Sequence, residues 1–125
     1  MNTALILFAH GARDPEWASP MRRVQAAIRA RLPALPVELA FLEFMTPSLT
    51  DCVAELIGRG AQELIVLPIF IARGGHLKRD LPEMLDVLRL AYPGVSFSLA
   101  GAVGEHEMVI QAIAEVALSA LAPVA

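Results

Sequence analysis

The sequence is poor in cysteine, in charged residues and in long apolar runs, and each shortage excludes a class of protein. Its single cysteine, Cys52, excludes an intramolecular disulfide and a cysteine-rich metal cluster. No apolar run approaches the roughly 20 residues that cross a bilayer, and the first run, ALILFA, is too short for a signal peptide and lacks a basic segment before it. These absences predict a cytoplasmic protein without membrane contact, in which Cys52 faces the core and is inert.

The balance of charged and apolar residues narrows the choice of partners. Only 18% of the residues are charged and 56% are hydrophobic, whereas a typical soluble domain is about 25% charged. The net charge of −3 excludes a globally basic surface, so we expect no nucleic-acid partner. Too few polar residues remain to coat a monomer, which favours a homodimer with a buried apolar interface.

Apolar runs alternate with segments of helical period, which is typical of βα units around a parallel sheet. We expect a single domain over residues 1–125. The strands are predicted at about 4–9, 37–42, 63–70 and 95–100, and the helices at about 15–32, 47–58, 80–91 and 105–121.

Capping residues and prolines predict where the helices begin. The pairs Asp14-Pro15 and Thr46-Pro47 each combine a cap with a proline suited to the first helical position. Before the third helix, Asp80 and Glu83 have the spacing of a capping box. Pro82 argues against a start much earlier than Asp80.

The fourth predicted helix is apolar around most of its circumference. Its polar positions recur every four residues and form one narrow stripe: Glu107, Gln111, Glu115 and Ser119. Such a helix is expected to be covered on more than one side. We expect one side to pack on the sheet and the other to be a candidate subunit contact; the alternative is that small alanine side chains leave that side harmlessly exposed.

Three polar residues follow three apolar runs at equal intervals of 33 residues: His10, Glu43 and His76. If each run is a parallel strand, all three lie at one edge of the sheet, where open α/β sheets bind ligands. Two imidazoles and a carboxylate suit a divalent transition metal or proton transfer. Taken singly they have simpler interpretations: His10 bonded to the backbone of a turn, and Glu43 either solvated after its strand or partly buried with a raised pKa.

A cluster of positive charge is predicted beside these residues. Its members lie in the loops after the first and third strands: Arg13, Arg73, Lys78 and Arg79. In an acidic protein this cluster favours a substrate with carboxylates or phosphates. Gly11 permits close backbone approach or a positive φ, and Gly74-Gly75 is typical of a loop on which a ligand lies, the alternative being an ordinary mobile loop. His106 is expected to be solvated.

Three motifs resemble those of the small CbiX-type class II chelatases, relatives of sirohydrochlorin ferrochelatase and of the cobaltochelatase of anaerobic cobalamin synthesis. They are HGARDP after the first strand, FLE within AFLEFMTPSL, and LPIFIARGGHLKRDLPEML, and the resemblance covers about residues 3–115. It implies a three-layer α/β/α half-chelatase domain with a four-stranded parallel sheet, wound as in flavodoxin with strand order 2-1-3-4. It also implies the short form of the family, which pairs as a homodimer.

The same resemblance implies a reaction and its residues. His10 and His76 match the metal-binding and proton-handling histidines of the family, and Glu43 matches their acidic partner, so all three are expected to be catalytic and to bind metal. The implied reaction inserts a divalent metal, Co²⁺ first and Fe²⁺ or Ni²⁺ as alternatives, into sirohydrochlorin or a related anionic tetrapyrrole in cobalamin or sirohaem biosynthesis. No cofactor beyond this substrate metal is expected. The expected substrate-binding residues are Arg13, Arg73, Gly74, Gly75, Lys78 and Arg79.

The sequence departs from the family pattern at two positions. Ala12 stands where the family commonly has serine, and Arg73 stands where it often has proline or a polar residue.

Two other functions are compatible with the same residues. A histidine-nucleophile phosphatase would also carry HG-x-R after its first strand, but such sites usually place arginine directly before the histidine, where this chain has Ala9. A non-catalytic metal carrier would use the same three ligands without turnover.

Overall fold

A four-stranded parallel sheet forms the centre of the computed structural model, which describes residues 2–72 and 74–121. The strands are β1 (Thr3–Ala9), β2 (Val37–Phe41), β3 (Glu63–Pro68) and β4 (Ser96–Leu99), in the order β2-β1-β3-β4. In this register Ala9 is opposite Phe41 of β2, and Phe8 is opposite Pro68 of β3. The predicted parallel arrangement and strand order are confirmed, and the carboxyl ends of the strands share one edge.

In the described residues the helices are α1 (Ser19–Arg31), α2 (Leu49–Gly58), α3 (Gly75–Ala91) and α4 (Glu107–Leu121). Short 3₁₀ turns precede α1 at Pro15–Ala18 and α4 at Val103–Glu105. The Asp14 side chain accepts a hydrogen bond from the Glu16 amide at 2.9 Å, so the predicted Asp14 cap is confirmed for the turn before α1. Within residues 2–72 and 74–121, none of the helices is long and apolar enough to cross a bilayer.

The sheet has α1 on one face and α2 and α3 on the other, which confirms the predicted three layers. Successive β1 side chains enter two separate buried clusters because neighbouring side chains of a strand point to opposite faces. Leu7 shares a cluster with Met21 of α1, whereas Ile6 shares one with Leu56 of α2 and Leu85 of α3. Burial on both faces explains why β1 is apolar throughout instead of alternating.

Helix α3 begins at Gly75, so the predicted start near Asp80 is wrong. Pro82 lies inside the helix, where the missing N–H and the ring clash cost about 3 kcal/mol. Against this, four leucines at helical spacing are buried on its inner face, and burial of each contributes roughly 1.5–3 kcal/mol: Leu77, Leu81, Leu85 and Leu88. The apolar stripe therefore outweighs the proline, and the helix continues through it.

The predicted start of α2 at the Thr46-Pro47 pair is also wrong. The helix is capped by Ser48, whose hydroxyl accepts a hydrogen bond from the Asp51 amide at 3.2 Å. The Pro47 carbonyl instead accepts a hydrogen bond from the Phe41 amide at 2.9 Å. This bond keeps Thr46 and Pro47 beside the end of β2 and moves the first helical residue to Leu49.

Helix α4 has no buried residue, so the expectation that one side packs on the sheet is wrong for the single chain. Met108 and Val116, both outside the polar stripe, are 73% and 71% exposed. The helix begins at Glu107 after the second 3₁₀ turn, where the exposed His106 ring accepts a hydrogen bond from the Met108 amide at 3.3 Å. An apolar helix is thus left without a cover from the described part of its own chain.

Candidate functional site

The loops after β1 and β2 continue the pairing of these strands and bring His10 beside Glu43. The Leu42 amide donates to the Ala9 carbonyl at 2.9 Å, and the Glu43 amide donates to the His10 carbonyl at 3.0 Å. Gly11 has a φ of 89°, and a Cβ at this position would overlap the Glu43 carbonyl oxygen. The predicted need for glycine here is confirmed, and its cause is the close approach of the two loops.

The His10 ring lies against Phe70, which follows β3. The ring centroids are 4.4 Å apart with an angle of 40° between the planes, and Phe70 also meets Phe8 edge to face at 6.0 Å. The Phe70 carbonyl accepts a hydrogen bond from the Gly104 amide at 2.8 Å, and a Cβ on Gly104 would overlap the Ile71 backbone. Phe70 is 3% exposed, so a buried aromatic ring on one side limits the orientations open to His10.

The three residues predicted as catalytic line one cavity of about 710 Å³ at the carboxyl edge of the sheet. His10 and Glu43 come from the paired loops, and His76 comes from the first turn of α3. The complete lining is His10, Leu42, Glu43, Gly74, Gly75, His76, Leu77, Asp80 and Met84. A mainly apolar cavity with a few convergent polar groups is typical of a small-molecule site. Its imidazoles and carboxylates can bind a transition metal or exchange protons.

The histidines and carboxylates that line this cavity are open to solvent and lie apart from one another. His10, Glu43 and His76 are exposed, so Glu43 is a solvated residue after its strand and not a buried acid. Leu42 and Phe44, which flank it, are also exposed, at 38% and 57%. Across residues 2–72 and 74–121, no three histidine, cysteine or acidic side chains are close enough together to hold a metal ion.

The predicted substrate-binding residues are distributed more widely than the catalytic ones. Gly74 caps α3 and lines the cavity together with Gly75. Arg13 is exposed and lines a neighbouring cavity instead. Lys78 and Arg79 are exposed on α3 and are not among the lining residues of the main cavity. Arg73 lies outside the described residues.

Asp80 lines the cavity, although its position in the sequence predicts a helix cap. It follows His76 by one helical turn, and residues four apart on a helix are neighbours on one face. Interpreting Asp80 as a helix cap hid this placement, because the true start of α3 is at Gly75. Continuing the leucine period backward from Leu81 to Leu77 would have revealed it.

Cys52 lies outside this cavity and faces the core, as predicted. The Cys52 side chain lies on the inner face of α2 and is 2% exposed. Burial, and to a smaller extent the carboxylates of Glu38 and Glu55, raise the pKa of the Cys52 thiol to about 12. The thiol therefore stays protonated at neutral pH and is a poor nucleophile and a poor metal ligand.

Comparisons with known proteins agree with the motifs at this edge. The CbiX family model matches residues 4–120. A sirohydrochlorin cobaltochelatase from Sulfurisphaera tokodaii is 30% identical over 111 residues, covering 89% of this chain and 88% of that protein. One from Methanococcus aeolicus is 33% identical over 85 residues, covering 68% of this chain but only 59% of that protein. The structure of a cobalamin (vitamin B12) biosynthesis CbiX protein from Marinobacter aquaeolei VT8 has a TM-score of 0.82 at 29% identity, covering 97% of this chain and 98% of that one.

Proposed function

Because the chain belongs to the CbiX family, we propose that it inserts a divalent metal ion into sirohydrochlorin or a related anionic tetrapyrrole. The observation that carries this proposal is the convergence of His10, Glu43 and His76 on one cavity at the carboxyl edge of the sheet. Co²⁺ is the first candidate metal, and Fe²⁺ and Ni²⁺ are the alternatives. The metal is a substrate, and we expect no resident cofactor. The reaction would take place in the cytoplasm, in cobalamin or sirohaem biosynthesis.

Insertion requires two pyrrole nitrogens to lose their protons as they bind the metal. In the proposed mechanism, His10 and His76 hold the incoming metal through neutral imidazole nitrogens. Glu43 lies beside His10, joined to it by the hydrogen bond between their backbones. Its exposed carboxylate accepts protons and passes them to solvent. Since the donors are not assembled in advance, the metal and the macrocycle would draw them together.

The substrate is a wide, flat anion, and cations border the cavity that would receive its centre. Lys78 and Arg79 lie on the first turns of α3, and Arg13 lies beyond His10. Arg73 is adjacent to Gly74 in the sequence. Charge-assisted hydrogen bonds from such groups to carboxylates are shorter and stronger than neutral ones. Gly74 and Gly75 would let the ring approach the backbone, since nothing lies within 4 Å of a Cβ built on either residue.

We further propose that the active form is a homodimer in which α4 of each copy covers the other copy. On one face of the sheet, α1 lies over β1 and β2 and leaves β3 and β4 open. On the open half of this face the β3 segment is partly exposed at Ile65, Leu67 and Ile69, and β4 is exposed at Ser96 and Ser98. An apolar recess of about 370 Å³ adjoins this half, lined in part by Leu67, Val103 and Met108. The open half of this sheet face, apolar along β3, and the uncovered apolar helix α4 are complementary surfaces.

The surface area supports a second copy as the occupant. The chain exposes 7944 Å², roughly 1,400 Å² more than the 6,500 Å² or so expected for a compact monomer of 13.4 kDa. If each copy buried this excess, the interface would total roughly 2,800 Å², within the range of obligate homodimers. Two facing copies would also enclose a macrocycle that one small domain leaves open.

Metal insertion is tested by adding Co²⁺ and sirohydrochlorin to the purified chain and following the absorbance of the metallated product. His10→Ala and His76→Ala should abolish the acceleration, and Glu43→Gln should lower kcat by about 10²–10⁴, the usual contribution of a general base. Arg31→Ala, which removes an exposed side chain at the end of α1, outside the cavity, is the control. Full activity in both histidine variants would refute the assigned roles. Stoichiometric metal binding without insertion would instead identify a metal carrier, and competition among Co²⁺, Fe²⁺ and Ni²⁺ would identify the preferred metal.

The homodimer in which α4 of each copy covers the other copy, called the exchanged dimer below, is tested by sedimentation at micromolar concentration. Val116→Glu places a charge on the apolar part of α4, which a monomer would tolerate because the residue is 71% exposed. In the exchanged dimer the charge would be buried without a partner, so the dissociation constant should rise by at least tenfold, with Glu115→Gln in the polar stripe as the control. A wild-type monomer, or equal assembly of both variants, would refute the exchange.

A further inference from the structure

A second cavity of about 300 Å³ lies next to the candidate site, on the far side of the paired loops. The segments 10–13 and 42–45 contribute to both cavities: His10 and Glu43 line the first, and Arg13 and Phe44 line the second. The complete lining of the second cavity is Ala12, Arg13, Pro15, Arg22, Phe44, Met45 and Thr46. A ligand centred over His10 and Glu43 that is wider than the first cavity would extend toward the second.

The second cavity presents positive charge that its own lining does not neutralise. Two guanidinium groups line it, and no carboxylate does. Among the described residues neither Arg13 nor Arg22 forms an ion pair, whereas Arg29, Arg59 and Arg89 each do. The Arg22 guanidinium makes a single long hydrogen bond, 3.5 Å, to the Pro15 carbonyl. Unpaired guanidinium groups at a recess are suited to an anion, and to a carboxylate in particular, because their donors match its two oxygens.

Phe44 holds Arg13 at this recess without neutralising it. The Arg13 guanidinium lies 4.7 Å from the centroid of the Phe44 ring, a cation–π distance that orients the cation and leaves its edge donors available. Phe44 has a φ of 66° and is 57% exposed, an unfavourable conformation for a bulky residue. Strained residues of this kind cluster at ligand-binding sites. Here the strain places an aromatic surface between the two cavities.

We propose that Arg22 and Arg13 bind a peripheral carboxylate of the tetrapyrrole whose centre lies over His10 and Glu43. The proposal rests on the proposed function, since it takes the substrate from it. It adds Arg22, a residue of α1 that the sequence motifs do not include. The apolar edge of the ring would lie over Phe44, and its acidic side chain would reach the two arginines.

The test uses metal-free sirohydrochlorin, so that binding is measured apart from metal insertion. Trp17 is the single tryptophan and lies in the 3₁₀ turn that contains the lining residue Pro15. The tetrapyrrole should quench its fluorescence on binding. Arg22→Gln should raise the dissociation constant about tenfold or more, the loss of one charge-assisted hydrogen bond. Arg23→Gln, the matched control, removes the same charge from the next residue outside the cavity and should change the constant less than about twofold.

Two further measurements separate a binding role from a structural one. Arg22→Lys keeps the charge but loses the planar fork, so its dissociation constant should lie between those of the wild type and Arg22→Gln. The methyl ester of sirohydrochlorin has no charged carboxylates, so wild type and Arg22→Gln should bind it equally. The melting temperature of Arg22→Gln should match that of Arg23→Gln, because within residues 2–72 and 74–121 the Arg22 side chain makes no hydrogen bond besides the long one to the Pro15 carbonyl.

The possible outcomes distinguish this proposal from the proposed function. Equal affinity of Arg22→Gln and Arg23→Gln for the free acid would overturn the carboxylate subsite and leave metal insertion unaffected. Weaker binding by Arg22→Gln, together with a wild-type chain that inserts no metal, would support the subsite and overturn the chelatase function. No binding of the tetrapyrrole by any of the proteins would overturn both.

Discussion

Replacing Gly11 with alanine should destabilise the chain through two separate costs, one conformational and one steric. The left-handed conformation at φ 89° costs a residue with a Cβ about 1–2 kcal/mol. The new Cβ would also overlap the Glu43 carbonyl oxygen, and overpacking of this kind typically costs about 1–3 kcal/mol. We expect a loss of about 2–5 kcal/mol in the free energy of unfolding, since the two costs arise independently.

Two other glycines separate the two costs. Gly60 has a φ of 99° but nothing within 4 Å of a Cβ, so Gly60→Ala should show the conformational cost alone. Gly104 has an ordinary φ, but its Cβ would overlap the Ile71 backbone, so Gly104→Ala should show the steric cost alone. Gly58, at the end of α2, has neither constraint, and Gly58→Ala should be neutral or stabilising by up to about 1 kcal/mol.

The assay is thermal or urea unfolding of the four variants beside the wild type. For a chain of this length 1 kcal/mol corresponds to roughly 4 °C, so Gly11→Ala should melt about 8–20 °C below the wild type. It should also lose metal insertion at temperatures where it is still folded, because the overlap pushes the loops of His10 and Glu43 apart. A Gly11→Ala variant as stable as Gly60→Ala would refute the claim that the two loops are in contact.

Three further predictions concern single side chains. Because burial raises the pKa of the Cys52 thiol from about 9 to about 12, the unfolded chain loses this proton at a lower pH than the folded chain. Stability should therefore be unaffected below pH 9 and fall by up to about 1.4 kcal/mol per pH unit between pH 9 and pH 12. Cys52→Ala should remove this contribution in urea unfolding, and an unchanged slope would contradict the assignment. Glu38 is paired with two arginines and Glu55 with one at 4.0 Å, so Glu38→Gln should cost about 1 kcal/mol and Glu55→Gln less than half of that, with the difference shrinking at high salt. Asp80→Asn should lower kcat/KM for metal insertion by about tenfold through loss of a carboxylate one helical turn from His76, whereas an equal effect of Glu83→Gln, outside the cavity, would indicate a general charge effect.

The sequence predicted the sheet and the family because these depend on patterns of several residues each. Continuous apolar runs and the residues that follow them predicted the strands and the edge that carries His10, Glu43 and His76, and the resemblance to the chelatase family predicted the strand order. The start of α3 was missed because a single local signal, Pro82, was given more weight than four buried leucines. The exposure of α4 was missed because hydrophobic periodicity reports that a face needs a cover and does not report which chain supplies it. No sequence motif includes Arg22, because its proposed role depends on how the loops around it fold.

The pairing of Glu43 with His10 by a backbone hydrogen bond makes the site insensitive to the number of residues between them. Residues added at the turn of Leu32 to Leu35, on the amino edge of the sheet, would leave the register unchanged at a loop-closure cost below about 1 kcal/mol. A single residue added within β1 or β2 would turn every following side chain to the opposite face. The equal spacing of 33 residues is therefore incidental, and insertions and deletions in natural or engineered chains should concentrate at the edge remote from the cavity.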